Sequence, residues 1–125
     1  MGDIRNDQDV KVLVHNFYEK VQNDDRLGYI FNDVAEVAWD EHLPKMVDFW
    51  SNLLFQTGRY KGRPFRQHMP LPIKEGDFDR WYRLFEETVD ELYRGDKANF
   101  AKQLARNIAS SFELRMEKDG LLKKE

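Results

Sequence analysis

The chain has three histidines and no cysteine, and that short inventory limits the chemistry it can carry. His68 stands in the run Pro64-Phe65-Arg66-Gln67-His68-Met69-Pro70-Leu71-Pro72, fenced by prolines on both sides. Proline is tolerated at the first position of a helix, where its missing N–H would be unpaired anyway, whereas Pro70 disfavours helical geometry at Met69. The segment is therefore predicted to be a helix of about one or two turns, too short to stabilise itself. Either it is a proline-rich connector with a hydrogen-bonded histidine, or a bond from His68 to a metal or cofactor holds it in place. His42 occupies the inward row of an apolar stripe one turn before Met46, as a helix-end histidine or as part of a site. His15 falls beside Lys11, Glu19 and Gln22 on a polar helix face and reads as a solvent histidine.

Several chemistries are excluded by what is missing. Without cysteine there are no disulfides, thiolate nucleophiles, zinc–thiolate centres or iron–sulfur clusters. A di-iron site in a helical bundle needs paired Glu-x-x-His units, and the residue three before His42 is Trp39. No His-Glu-x-x-His zinc motif, Gly-x-Ser-x-Gly elbow or glycine-rich phosphate loop is present. What remains is one histidine on a propped segment facing Tyr18, His42 and Trp81, with Phe31, Met46, Phe49 and Phe85 as apolar lining. Such a set suits a flat, apolar, iron-bearing cofactor with His68 as its axial ligand.

Helices must position these residues. Val10, Leu13, Val14, Phe17, Tyr18 and Val21 recur at three- and four-residue spacing behind Asn6 or Asp7, either of which can cap a first helix. Leu27 to Phe31 is an apolar cluster that predicts no more than a helical turn. Trp39, His42, Leu43, Met46, Val47, Phe49, Trp50, Leu53 and Leu54 form the strongest stripe, and Pro44 in a first turn places the start of that helix near Glu41 or His42. Asp77 can cap a helix carrying Phe78, Trp81, Tyr82, Phe85, Val89 and Leu92. Gly95-Asp96 ends that helix and caps a last one, whose inward row reads Phe100, Leu104, Ile108 and Phe112. Phe78, Phe85 and Phe112 also suit a plain core. No stretch alternates with period two, so the fold is expected to be all-α, with four long helices in one domain over residues 1–125.

At 15.0 kDa with 14% aromatic residues, the chain can bury a core of ordinary size. Twenty basic residues are interspersed among 23 acidic ones, for a net charge of -3. No basic stripe is left for phosphates, so neither nucleic acid nor an anionic membrane is an expected partner. The first residues lack the apolar core of a signal peptide, which makes a cytoplasmic protein the expectation.

Six runs taken together are specific: Phe17-Tyr18-Glu19-Lys20-Val21, Leu27-Gly28-Tyr29-Ile30-Phe31-Asn32, Glu41-His42-Leu43-Pro44-Lys45-Met46, Phe49-Trp50, Arg66 to Pro72, and Trp81-Tyr82-Arg83-Leu84-Phe85-Glu86. Through them the chain resembles the third group of truncated haemoglobins over almost its whole length. The first two groups carry Gly-Gly pairs near helix ends, and no Gly-Gly occurs here. The resemblance implies a globin-like, two-over-two helical sandwich holding haem b. It places the proximal iron ligand on His68, the distal residues on Tyr18, His42 and Trp81, and the phenylalanine wedged against the haem on Phe31. Lys45 and Arg66 are the nearest candidates for the propionates, with Arg59, Tyr60 and Arg63 as alternatives. The implied function is binding of oxygen, carbon monoxide and nitric oxide at a five-coordinate iron with a polar distal pocket, in a monomer. The alternatives are a haem-dependent redox enzyme, dioxygenating nitric oxide or turning over peroxide, and a haem-free interaction module. With no flavin or nicotinamide motif, redox turnover would need an external reductase.

Overall fold

Asn6 begins the architecture. Its side-chain oxygen accepts from the Asp9 N–H at 3.0 Å and caps helix α1, Asp7–Asn23. Asp7 and Asp9 add negative charge to the first turn, where the helix dipole favours it. The computed structural model describes residues 2–34, 36–60, 73–74 and 76–120, with the backbone alone at residue 34. The predicted row Val10, Leu13, Val14, Phe17, Tyr18 and Val21 is the buried face of α1.

Asp24 ends α1 and starts α2, Asp25–Gly28, by accepting the N–H groups of Arg26 and Leu27. A Cβ on Gly28 would lie 2.6 Å from the Gln22 carbonyl oxygen, so only glycine lets α2 fold back this closely over the end of α1. Helix α2 runs on into a π-helical turn, Tyr29–Val34, where the sequence predicts a single turn. The helix is longer because Leu27 and Ile30 are drawn into the core, and burial sustains a helix that local length would not.

Helix α3, Trp39–Phe55, starts earlier than Pro44 suggests. The N–H groups of Glu41 and His42 both reach the Ala38 carbonyl, at 3.0 and 2.9 Å, which puts Pro44 in the second turn. The carbonyl that Pro44 leaves without a donor belongs to Asp40, an exposed residue, so water can satisfy it. Residues 61–72, which include His68, Arg63 and Arg66, lie outside the described residues, as does the short helix expected there.

Helix α4, Asp77–Leu92, takes Gly76 at its cap, with a φ of 94°, in place of the expected Asp77. Asp77 is instead the first helical residue, with a buried carboxylate. Tyr93 leaves the helix in an extended conformation, before Gly95. Helix α5, Asp96–Lys118, has its N-terminus capped from across the molecule: the Asp3 carboxylate accepts from Lys97 N–H at 2.9 Å and Ala98 N–H at 2.8 Å. Gly95 is required there, since a Cβ would lie 2.6 Å from the Asp3 side chain and its φ is 146°. The inward row of α5 is Ala98, Ala101, Ala105, Ala109 and Met116, and the expected Phe100 is 44% exposed. Small residues let α4 and α5 approach closely, while Leu104, Ile108 and Phe112 flank the seam half-buried.

All the elements among the described residues are helical, and α1 lies against α3 and α4, with α4 against α5. This is the expected two-over-two arrangement. Aromatic rings join the two pairs: Phe85 stacks on Trp50 at 4.6 Å and on Trp81 at 5.9 Å, while Phe17 meets Phe85 edge-on at 5.1 Å. Among the described residues no helix is long and apolar enough to cross a membrane.

Candidate functional site

Where these helices face one another they leave a cleft enclosing about 80 Å³. Helix α3 contributes His42, Met46, Phe49 and Trp50; the π-helical turn contributes Ile30 and Phe31; Phe78 and Trp81 come from α4. Ile108, Ala109 and Phe112 of α5 close the far side, and Tyr18 of α1 stands at the near end. Nearly every wall atom is carbon. At one corner the His42 ring lies edge-on to Tyr18 at 5.6 Å.

Tyr18 is buried, and burial pushes its hydroxyl well above the ordinary phenol range, with the nearby Tyr60 adding to the shift. The neighbouring Trp81 indole opposes that shift without reversing it. Tyr18 is therefore a neutral phenol at ordinary pH. Its proton is available to an acceptor in the cleft.

Tyr60 has a half-buried ring edge-on to Phe49 at 5.0 Å. Its hydroxyl is buried without a hydrogen-bond partner among the described residues.

The sequence-predicted residues come together only in part. Tyr18, Phe31, His42, Met46, Phe49 and Trp81 all line the cleft. Phe85 does not: it is fully buried between Trp50 and Trp81 and supports the wall from behind, as its position one turn beyond Trp81 on α4 requires. Lys45 is exposed on the outer side of α3 and absent from the lining. Arg59 turns away to Asp7 at 2.8 Å and Asp48 at 3.5 Å. His68 and Arg66 fall outside the described residues.

Two residues escaped the sequence reading. Asp77 puts a buried carboxylate on the cleft wall, accepting from the Arg26 guanidinium at 3.0 Å and the Lys74 N–H at 2.7 Å. The only signal for it was an Asp following Gly76, which reads as an ordinary cap. Trp39 packs on Tyr18 and His42, with ring centroids 5.6 Å from each. The stripe placed it inward but gave it no role. Phe78 and Phe112, equally suited to a plain core, are lining residues.

An almost wholly apolar lining with Tyr18 and His42 at one corner is a residue set that suits an apolar cofactor with polar edges. Together with the helical sandwich, these features define a globin. The chain belongs to the bacterial-like globin family, whose model matches residues 2–118. It is 36% identical over 119 residues to the group 3 truncated hemoglobin ctb of Campylobacter jejuni, covering 92% of this chain and 94% of that protein. The crystal structure of a group III truncated hemoglobin from Campylobacter jejuni superposes with a TM-score of 0.82 at 34% identity, covering 98% of this chain and 97% of that one. As a globin the chain is a haem-binding protein, and its family implies diatomic gases such as oxygen as ligands.

Proposed function

We propose that this chain binds oxygen, carbon monoxide and nitric oxide on haem b, with His68 as the axial imidazole and the opposite face open to the ligand. The observation that carries this reading is the meeting of a neutral tyrosine hydroxyl and an indole N–H at one corner of an otherwise apolar cleft. Haem, when bound, would supply an iron that binds a diatomic molecule.

The other tasks fall to side chains. Phe31, Met46 and Phe49 cover the macrocycle and exclude water, and Met46 can only pack there. Tyr18 donates its proton to a ligand atom that carries negative charge, with the Trp81 indole beside it on the cleft wall. Arg66 and Tyr60 serve the propionate edge, and the Tyr60 hydroxyl, buried without a partner among the described residues, supports that role. Phe85 acts only through Trp81, by holding its ring.

A second reading, redox turnover of nitric oxide or peroxide with an external reductase, is favoured by the His42 imidazole beside Tyr18, since imidazole can pass protons near neutral pH. Mixing the oxygenated protein with nitric oxide, with and without a reductase, separates the two.

The direct test is to titrate the full chain with hemin and record ferric, ferrous and carbonmonoxy absorption spectra. A saturable Soret band at one hemin per chain is expected. His68→Ala should lose the ferrous iron–histidine Raman band. A folded chain that stays colourless in excess hemin would overturn the reading.

A further inference from the structure

One ring backs the wall that carries Tyr18 and His42. Trp39, in the first turn of α3, is not itself a lining residue, yet its centroid lies 5.6 Å from Tyr18, 5.6 Å from His42 and 6.0 Å from Phe31, all of which line the cleft. Trp39 is only half-buried, so its outer side meets water. It stands at the solvent-facing side of Tyr18 and His42 and touches both.

Two features pin that ring. The Trp39 indole N–H donates to the Asn32 side-chain oxygen at 2.9 Å, and the Asn32 amide donates to the Gln22 carbonyl at 3.1 Å, near the end of α1. Between Asn32 and Trp39 the backbone turns sharply: Val37 N–H bonds to the Phe31 carbonyl at 3.0 Å, and Glu36 takes a φ of 50°, an uncommon left-handed conformation for a residue with a side chain. His42 follows Trp39 by less than one helical turn and meets it edge-on at 76°. Trp39 limits the movement of His42 on the side where the two rings meet, and it is held there by an exposed asparagine, through a bond that water can replace at small cost.

We propose that Trp39, latched by Asn32, is a positioning residue that keeps His42 and Tyr18 at the ligand corner and sets how often that corner opens to solvent. The proposal rests on the ligand-binding reading above. Opening requires release of the Trp39–Asn32 bond, and closing restores His42 to its place against Tyr18.

The test compares the haem-loaded wild-type chain with Asn32→Ala, Trp39→Phe and Trp39→Ala. Carbon monoxide recombination after flash photolysis should quicken about threefold in Asn32→Ala, the order of factor that one exposed neutral hydrogen bond controls. Trp39→Phe keeps a ring but loses the donor, so it should match Asn32→Ala, and Trp39→Ala should exceed both by roughly another factor of three. Haem content and melting temperature should be unchanged in Asn32→Ala, which a merely structural contact does not predict together with a rate change. Without haem, hydrogen exchange at the Trp39 indole should accelerate in Asn32→Ala while that of Trp50 does not. Recombination within about twofold of wild type in Trp39→Ala, or unaltered indole exchange in Asn32→Ala, overturns the proposal and leaves the ligand-binding reading intact. A wild-type chain that takes up no haem sinks that reading first and this one with it.

Discussion

Replacing Tyr18 with phenylalanine removes one oxygen atom from the cleft, and the consequence can be worked through in both the ligand-free and the ligand-bound chain. With no ligand present, the chain loses only the weak interaction of the Tyr18 oxygen with the neighbouring Trp81 indole, at a cost below about 1 kcal/mol in stability. With a ligand that carries negative charge, the chain loses a donor whose bond to a charged acceptor is worth about 1.5–3 kcal/mol. At about 1.36 kcal/mol per tenfold, oxygen should dissociate roughly ten to a hundred times faster. Carbon monoxide, which polarises less, should change by no more than about threefold. Stopped-flow displacement of oxygen by carbon monoxide measures the first rate, and replacement of carbon monoxide by nitric oxide the second. Trp81→Phe alone should have a smaller effect, and the double variant should fall short of the sum, since the two side chains line the same cleft and both pack on Phe17. An oxygen dissociation rate unchanged in Tyr18→Phe, with haem content intact, would refute the donor role.

Stability makes three further predictions. Asp3→Ala uncaps α5 and should cost about 1 kcal/mol in urea unfolding at neutral pH. Burial pushes the Asp3 carboxyl upward, but the N–H bonds from Lys97, Ala98 and Ile4 outweigh it and leave the pKa below its ordinary value. A carboxylate depressed on folding contributes stability that is fully present above its unfolded pKa and lost as pH falls through the folded value. The gap between wild type and Asp3→Ala should therefore close at acid pH, and a gap constant from neutrality into strong acid would contradict the cap. Gly28→Ala should destabilise by about 1–3 kcal/mol, because its new carbon meets the backbone of Gln22 rather than a movable side chain; a melting temperature equal to wild type would show that the α1–α2 crossing relaxes freely. Arg26→Ala leaves the buried Asp77 carboxylate without its guanidinium and should cost about 3 kcal/mol, whereas Arg26→Ala combined with Asp77→Asn should recover part of it. No recovery in that pair would mean that lost side-chain volume, not the stranded charge, sets the cost.

How far the site could be read in the sequence follows from where each signal lives. Tyr18, Met46 and Phe49 sit on long stripes whose period fixes the face they share, so spacing alone was enough to aim them inward. Pro44 misled because a proline constrains only its own bond, and an exposed Asp40 carbonyl lets it stand one turn deeper than the rule allows. The row on α5 misled for a different reason: alanine scores weakly as hydrophobic, yet close approach to α4 selects it, which turns Phe100 outward. Asp77 and its Arg26 partner are 51 residues apart, and no local pattern announces a pairing across that distance. Phe85 had the right face and the wrong depth, since periodicity sets direction but not which ring stands in front of another.

The polar corner combines parts that differ in how firmly they are held. Tyr18 and Trp81 stand on different helices, yet both meet Phe17, at 4.8 and 5.4 Å, and Phe17 is fully buried. Trp81 is also stacked on Phe85, which is stacked on Trp50. To move either donor, the aromatic core joining the helix pairs has to move with it, so the donors are preorganised and spend little free energy on orientation when a ligand arrives. His42 lacks that backing. It lies in the first turn of a helix whose ladder is interrupted at Pro44, and it leans on Trp39, a half-buried ring held at its edge by Asn32. Substitutions in the Phe17–Phe85–Trp50 stack should therefore alter how long a ligand stays, whereas substitutions at Asn32 and Trp39 should alter how fast it arrives. Retention and access are separable here because rings on opposite sides of Tyr18 govern them.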